Sequence, residues 1–167
     1  EKADQAETLA IAYKNIGEIC FTRHQYQESL DHLLKSYHTG LNSCSPENFH
    51  AVLIDLGNVY VRLNDHISAL DYFDQSLDLA DSGDLDYQKA VSYTALADLY
   101  TSTRQISSSI RMYENALNGA VQANSLSLQK EITQKLSDIY AAKNEAAMAY
   151  RYLKQNHILA DSLYRIS

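Results

Sequence analysis

Small and large residues recur along this chain at a fixed interval of 40 positions. The clearest case is a five-residue pattern that starts with an apolar residue and a small one and ends on a large apolar residue and Tyr or Cys. Its copies are Ile16 to Cys20, Leu56 to Tyr60, Leu96 to Tyr100 and Leu136 to Tyr140. An interval of this size is typical of stacked structural repeats, in which each copy buries its apolar face against a neighbour. We expect the leading Ile16, Leu56, Leu96 and Leu136 to be buried.

Other positions keep the same interval. A second small residue and a large apolar one follow each small residue at constant distances. The first set is Gly17, Gly57, Ala97 and Ser137, the second is Ser29, Ala69, Ser109 and Ala149, and the large residues are Leu33, Phe73, Tyr113 and Leu153. Small residues that face one another let two helices approach closely, while large ones fill the space beside them. The pattern therefore predicts a pair of helices in each repeat.

Apolar spacing and capping residues predict eight helices and an all-α fold. The predicted ranges are 4–22, 25–40, 47–63, 66–82, 85–103, 106–123, 126–143 and 145–164. Ser45, Pro46 and Glu47 form a helix start signal, because serine caps free amides and proline fits the first turn. Asn64 and Asn144 mark tight turns, because asparagine tolerates the left-handed conformation.

These repeats resemble those of the tetratricopeptide family. The residues that match its pattern most closely are Leu53, Leu56, Gly57, Tyr60, Ala69 and Phe73. The resemblance implies a single domain over residues 1–167, a right-handed α-solenoid of four helix-turn-helix repeats at about 4–44, 45–83, 84–124 and 125–164. A repeat of 40 residues exceeds the usual length of about 34 and implies longer helices. The chain is similar to the long-repeat sensor regions of bacterial multidomain signalling proteins. Because it begins at Glu1, we expect it to be part of a longer protein.

Composition narrows the classes of partner. The net charge is −7 and only 14 residues are Lys or Arg, which argues against nucleic acid as a ligand. The first apolar stretch, from Leu9 to Ala12, is too short for a signal peptide core or a membrane span. We therefore expect a soluble domain, with a cytoplasmic location favoured and a periplasmic one open if the parent protein carries a signal peptide and an anchor.

Residues that could perform catalysis or bind a metal do not form a recognisable pattern. None of the six histidines stands three or four positions from another on one helix, as a helical metal site requires. The acids around Gly83 do not fit a calcium loop, because Lys89 occupies the place of its bidentate glutamate. A phosphate-binding glycine loop and a nucleophile elbow are also absent. The sequence therefore predicts a non-enzyme with no metal and no cofactor.

In tetratricopeptide proteins the first helix of each repeat lines a binding groove, and the register implies which residues face it. The resulting groove set is Lys14, Glu18, Phe21, Asn58, Arg62, Asp98, Thr101, Gln134 and Asp138. Its acids favour a basic protein or peptide, although they could also form a solvated face. The family's basic clamp for peptide carboxylates does not match, since Glu18 and Asp55 replace asparagines and Val91 and Ala95 replace basic residues.

The last helix carries apolar residues on two faces. One face holds Ala149, Leu153, Ala160 and Tyr164; the other holds Tyr152, Leu159, Leu163 and Ile166. We expect one face to pack inside its own repeat and the other, assigned to the Tyr152 set, to form an interface with a following helix or with a second copy of the chain.

Two functions remain open after these exclusions. The first is a protein-binding or peptide-binding module that acts as the sensor or interaction domain of a bacterial signalling protein. The alternative is a passive scaffold or dimerisation element without a ligand.

Overall fold

The computed structural model describes the backbone of residues 2–166 and the side chains of residues 4–165. Within the described backbone the chain is helical, with short turns and no strand. The helices are α1 (Lys2–Thr22), α2 (Tyr26–Gly40), α3 (Pro46–Arg62), α4 (His66–Ser82), α5 (Asp86–Ser102), α6 (Ile106–Gln122), α7 (Leu126–Ala142) and α8 (Ala146–Ile166). The prediction of an all-α fold is confirmed. No helix of residues 2–166 is long and apolar enough to span a membrane.

The helices form two compact units. Unit 1 is Glu1–Asp84 and contains α1 to α4, and unit 2 is Leu85–Ser167 and contains α5 to α8. In unit 1, α1 packs on α2 and α3 packs on α4, while α2 also contacts α3. Unit 2 repeats this arrangement with α5 and α6, then α7 and α8, and a contact between α6 and α7. Each sequence repeat therefore corresponds to one helix pair.

Paired helices approach each other most closely at the small residues. A Cβ atom on Gly57 would lie 2.2 Å from Cε1 of Phe73, and one on Gly17 would lie 2.7 Å from Cγ of Leu33. Both distances are too short for real carbon atoms, so the large neighbours occupy the space that the missing side chains leave. The hydroxyl of Ser29 also donates to the carbonyl oxygen of Gly17 at 2.7 Å.

The turns within the helix pairs share one backbone conformation. His24, Asn64, Arg104 and Asn144 have φ angles of 61°, 63°, 60° and 60°, and they stand 40 positions apart. The sequence predicts this left-handed conformation for the two asparagines, which tolerate it. Arg104 shows that the repeat imposes it on a residue without that preference.

The start of α3 follows its predicted signal. Pro46 is the first residue of the helix, and the Ser45 hydroxyl accepts a hydrogen bond from the Asn48 backbone N–H at 3.3 Å. This bond satisfies one of the amides that the first helical turn leaves free.

The predicted core residues are buried with one exception. Leu56, Leu96 and Leu136 are no more than 3% exposed, whereas Ile16 is 41% exposed. Leu56 belongs to a buried cluster with Leu30 of the preceding repeat. Ile16 lies on α1, and no described helix covers the corresponding face there. The expectation that Ile16 is buried is therefore wrong, because Ile16 lacks the kind of neighbour that Leu30 provides for Leu56.

The last helix packs through the face that was predicted to be exposed. Tyr152 and Leu159 are 7% and 8% exposed. The ring of Tyr152 stacks on that of Tyr140, with centroids 5.7 Å apart. The Asn156 amide donates to the carbonyl oxygen of Lys130 at 2.6 Å, which also holds α8 on α7. The prediction of an exposed interface is wrong for Tyr152 and Leu159, because they fill the contact between α7 and α8.

The opposite face of α8 is the exposed one. Tyr150 and Tyr164 are 68% and 85% exposed, and Leu153 is 38% exposed. Leu163 is partly buried, and the side chain of Ile166 lies outside the described residues. Leu153 differs in this respect from its repeat counterparts Leu33, Phe73 and Tyr113, which are 1% exposed.

Candidate functional site

A pocket opens between α1 and α3 of unit 1. Its volume is about 320 Å³, which suits an amino-acid side chain and lies at the small end of ligand sites. Its lining combines carboxylate and other polar groups with apolar side chains, namely Glu18, Phe21, Thr22, Leu33, Asp55, Asn58 and Val59. The pocket therefore offers both an apolar wall and negative charge to one small group.

The groove set of unit 1 is only partly brought together at this pocket. Glu18, Phe21 and Asn58 line it. Lys14 lies beside it, with its Nζ atom 2.6 Å from Oε1 of Glu18. Arg62 does not reach it, because its guanidinium donates to the Tyr26 hydroxyl through Nη2 at 2.6 Å and Nε at 3.0 Å.

Asp55 is the residue of this site whose polar groups are least satisfied. Its side chain is 23% exposed, and its Oδ2 atom is buried with no hydrogen-bond partner among the described residues. The nearest cation is Lys14, whose Nζ atom lies 3.7 Å from Oδ2, beyond hydrogen-bonding distance. A buried carboxylate oxygen without a hydrogen-bond partner costs free energy, and the ion pair with Lys14 offsets part of that cost.

The environment of Asp55 changes its protonation. Burial raises the pKa of its carboxyl to about 7, because the charged form loses hydration. The ammonium of Lys14 opposes this rise in pKa, and the carboxylate of Glu18 adds to it. Near neutral pH the pocket can therefore gain or lose a proton at Asp55.

Asp55 is absent from the groove set, which was chosen by its register in the repeat. A signal for it exists in the sequence, because it is the only charged residue in the apolar run from Ala51 to Gly57. A charge inside a stretch that the helix buries is either paired or functional. Leu33 and Val59 also escaped prediction as lining residues, because they belong equally to the buried core.

The corresponding place in unit 2 is closed by the side chains of the chain itself. Asp98 accepts a hydrogen bond from the Tyr113 hydroxyl. The Nζ atom of Lys135 lies 2.7 Å from the same carboxylate oxygen. Burial raises the pKa of Tyr113, and its bond to Asp98 acts in the same direction, so the phenol stays a donor.

The repeat register explains why the two places differ. A shift of 80 positions takes Glu18 to Asp98, Leu33 to Tyr113 and Asp55 to Lys135. In unit 2, a carboxylate therefore faces a lysine, and a tyrosine takes the position of a smaller leucine. In unit 1, a carboxylate faces a second carboxylate, the Lys14 ammonium pairs with both, and no hydroxyl extends from Leu33 towards them.

The remaining members of the groove set lie in unit 2. Thr101 makes a 2.6 Å hydrogen bond with Ser109 of α6, so it braces the helix pair. The Gln134 amide donates to Asp138 at 2.9 Å, and both residues line a shallower pocket of about 570 Å³ between α7 and α8. These polar groups already have partners within the unit.

The described side chains include no group of three or more His, Cys, Asp or Glu that could hold a metal ion. Cys20 and Cys44 are both free thiols, each partly exposed.

Comparison with known sequences identifies one family. A tetratricopeptide repeat model matches residues 48–120. No curated protein matches the sequence.

Solved structures that resemble this chain share its fold at low sequence identity. BtubC (BKLC) from P. vanneervenii has a TM-score of 0.79 at 15% identity, and the alignment covers 95% of this chain and 66% of that one. Aspartyl phosphate phosphatase F from Bacillus subtilis has a TM-score of 0.87 at 12% identity, with 98% of this chain and 42% of that one covered.

A third similar structure is a signal transduction ATPase with numerous domains from Pyrococcus horikoshii, described as having a tetratricopeptide repeat sensor. Its TM-score is 0.77 at 19% identity, with 90% of this chain and 23% of that one covered. The chain thus spans less than two thirds of the length of each of these three proteins.

Proposed function

Since this chain is a tetratricopeptide repeat protein, we propose that it is a non-catalytic module that binds a protein or peptide segment. The face that binds is formed by α1 and α3 of unit 1, and we call it the pocket face, comprising Glu18, Phe21, Asp55, Asn58 and Val59. The observation that carries the proposal is the pocket itself, which contains an unpartnered buried carboxylate oxygen beside apolar side chains. Folded proteins rarely leave such a group unpaired without a functional reason.

We further propose that the parent protein is a bacterial signalling or regulatory protein in which this module senses a partner. The support is the similar structure with a tetratricopeptide repeat sensor, of which this chain covers 23%, together with the similar structure from the bacterium Bacillus subtilis. Any catalytic activity would then reside in another part of the parent protein.

A peptide selection tests the binding function. Random peptides displayed on phage are selected on the purified chain, and the affinities of the enriched peptides are measured by fluorescence anisotropy. Asn58→Arg puts a large cation on the pocket face and should weaken binding at least tenfold. Gln27→Arg makes the same change at an exposed position of α2 and should leave the affinity unchanged.

The selection can also contradict the function. Failure to enrich any peptide above background, or equal affinities for both variants, would exclude the pocket face as a binding surface.

The second candidate function is a dimerisation element, and the exposed face of α8 favours it. Tyr150, Leu153 and Tyr164 lie on one side of this helix. Large side chains that share an exposed face often mark an interface, whereas single ones do not. Sedimentation equilibrium distinguishes the two candidates. A dimer that Leu153→Asp dissociates would support this candidate, whereas a monomer at all concentrations would exclude it.

A further inference from the structure

We propose that the pocket of unit 1 binds the side chain of a lysine in a partner peptide, with the lysine ammonium placed beside the carboxylates of Glu18 and Asp55 and next to the ammonium of Lys14. The methylene stem of that lysine lies against Phe21 and Val59. This inference rests on the proposed function and specifies the chemistry that the pocket face recognises.

Charge complementarity is the first argument. With Asp55 ionised, Lys14 contributes one positive charge and Glu18 and Asp55 contribute two negative charges, so the group carries one negative charge in excess. One added ammonium neutralises it. The other lining residues, which belong to α1, α2 and α3, have no titratable side chain.

Unit 2 provides the second argument, because it contains the same interaction within the chain. Lys135 occupies the register position of Asp55, and its Nζ atom lies 2.7 Å from Asp98, the counterpart of Glu18. An ammonium therefore already bridges α5 and α7 at this place. In unit 1 the internal ammonium is that of Lys14, 2.6 Å from Glu18 and 3.7 Å from Asp55. The second carboxylate leaves one negative charge in excess, which an external lysine can neutralise.

The geometry favours lysine over arginine. Oδ2 of Asp55 is the buried oxygen without a hydrogen-bond partner. Because that oxygen is buried, the carboxyl leaves at most its other oxygen to a ligand in the pocket. A single reachable oxygen suits the compact ammonium of lysine, whereas the planar fork of arginine is matched to a carboxylate that presents both oxygens. The apolar groups beside it cover the aliphatic stem, as they do for partly buried lysines within proteins.

The pocket also makes binding sensitive to pH. Because Asp55 has a pKa of about 7, it is partly protonated at neutral pH. A lysine ammonium binds its ionised form, so affinity rises as pH increases through 7 while the ligand stays charged. Lys14 and Glu18 of α1 are the charged groups that face Asp55 and set this range.

An NMR titration tests the inference with the full chain. The probe is Nα-acetyl-lysine-N-methylamide, and its norleucine analogue is the neutral control of equal stem length. At pH 8 the lysine probe should shift the amide signals of Phe21, Asn58 and Val59 in a saturable way. The norleucine probe should bind at least tenfold more weakly, and lowering the pH from 8 to 6 should weaken binding of the lysine probe about tenfold.

Two variants assign the effect to the carboxylates. Asp55→Asn and Glu18→Gln should each weaken the lysine probe at least fivefold, and Glu18 is exposed, so its replacement leaves folding intact. Asp138→Asn makes the same change of charge in unit 2 and should have no effect.

Several results would overturn the lysine site. They are equal binding of the lysine and norleucine probes, tighter binding of the corresponding arginine derivative, an unchanged affinity in Asp55→Asn, or no saturable shift at all. If selected peptides still bind the pocket face without needing a lysine, the lysine site fails while the binding function stands. If no peptide binds, the binding function fails as well.

Discussion

Units 1 and 2 have the same helix pairs, but the space between the first helices of their two repeats contains a pocket in unit 1 and is filled by side chains in unit 2. In unit 2, Tyr113 and Lys135 both bind the carboxylate of Asp98, so that place is internally satisfied. In unit 1, Leu33 and Asp55 stand at the corresponding positions, and a pocket remains with a buried oxygen that lacks a partner. The repeat pattern fixes the scaffold, while a few substitutions within it decide whether a place is closed or open to a ligand.

The largest predicted effect tests the register on which this comparison depends. Leu56→Ala in unit 1 and Leu136→Ala in unit 2 should each lower the free energy of unfolding by about 2 to 5 kcal/mol, because both side chains are 0% exposed. Ile16→Ala, in the same column but 41% exposed, should cost clearly less. Urea denaturation followed by circular dichroism measures all three. An equal cost at Ile16 would show that the shared register does not describe the packing.

The second effect concerns the proton on Asp55. An aspartate titrates near pH 3.9 in an unfolded chain, whereas the pKa of Asp55 in the folded chain is about 7. The folded state therefore holds this proton more tightly, and its contribution to stability is complete below about pH 4. It should be lost at up to about 1.4 kcal/mol per pH unit as pH rises towards 7.

A comparison of variants isolates this contribution from other titrating groups. Urea denaturation at pH 5 and at pH 7.5 measures how far the free energy of unfolding falls between the two. The fall should be smaller for Asp55→Asn than for the wild type, because the variant lacks this titrating group. Asp138→Asn, the control in unit 2, should retain the wild-type dependence. Parallel curves for wild type and Asp55→Asn would mean that Asp55 is not the perturbed group.

A smaller effect compares the small residues that stand at equivalent repeat positions in the two units. Gly57 lies against the Phe73 ring, whereas its counterpart in unit 2 is already Ala97 beside Tyr113. Gly57→Ala should destabilise the chain by about 1 to 3 kcal/mol through overpacking, despite the better helix propensity of alanine. Ala97→Gly should cost about 1 kcal/mol through helix propensity and about 1 kcal/mol more through the loss of a buried methyl group. A Gly57→Ala variant as stable as wild type in thermal denaturation would show that Phe73 can move aside.

The smallest effect concerns the ion pair that closes unit 2. Asp98 and Lys135 are 48% and 41% exposed, so Lys135→Met should change stability by less than about 1 kcal/mol. The same variant removes the ammonium from Asp98 and should allow the lysine probe to shift signals in α5, although more weakly than in α1 because Tyr113 still occupies the space. Wild-type titration behaviour at α5 would show that Tyr113 alone keeps this place closed.

Much of the fold follows from local sequence rules. The repeat interval and the caps predicted each helix to within two residues, and Ser45 and Asn64 behave as their chemistry requires. The exposure of Ile16 and the packing of Tyr152 were not predictable in the same way. Periodicity shows that a helix has an apolar face, but the neighbouring helix decides which face is covered.

The candidate site was harder to predict for a related reason. Register identified Glu18, Phe21 and Asn58, which point to one side of their helices. It could not show that the Arg62 guanidinium hydrogen-bonds to Tyr26. Nor could it show that Asp55, which stands at a different position of its repeat, lies near Glu18 across the gap between α1 and α3. Such pairings depend on the distance between helices, which a repeat pattern does not contain.

A nuclear Overhauser measurement on the chain with a selected peptide, whose lysine side chain is labelled with ¹³C, locates the bound lysine directly. Cross-peaks should join the lysine ε-methylene protons to both the Phe21 ring and the Val59 methyl groups, and they should be lost in Asp55→Asn. Cross-peaks from the labelled lysine to residues of α8 instead, or none to the pocket face while the peptide is bound, would contradict the lysine site.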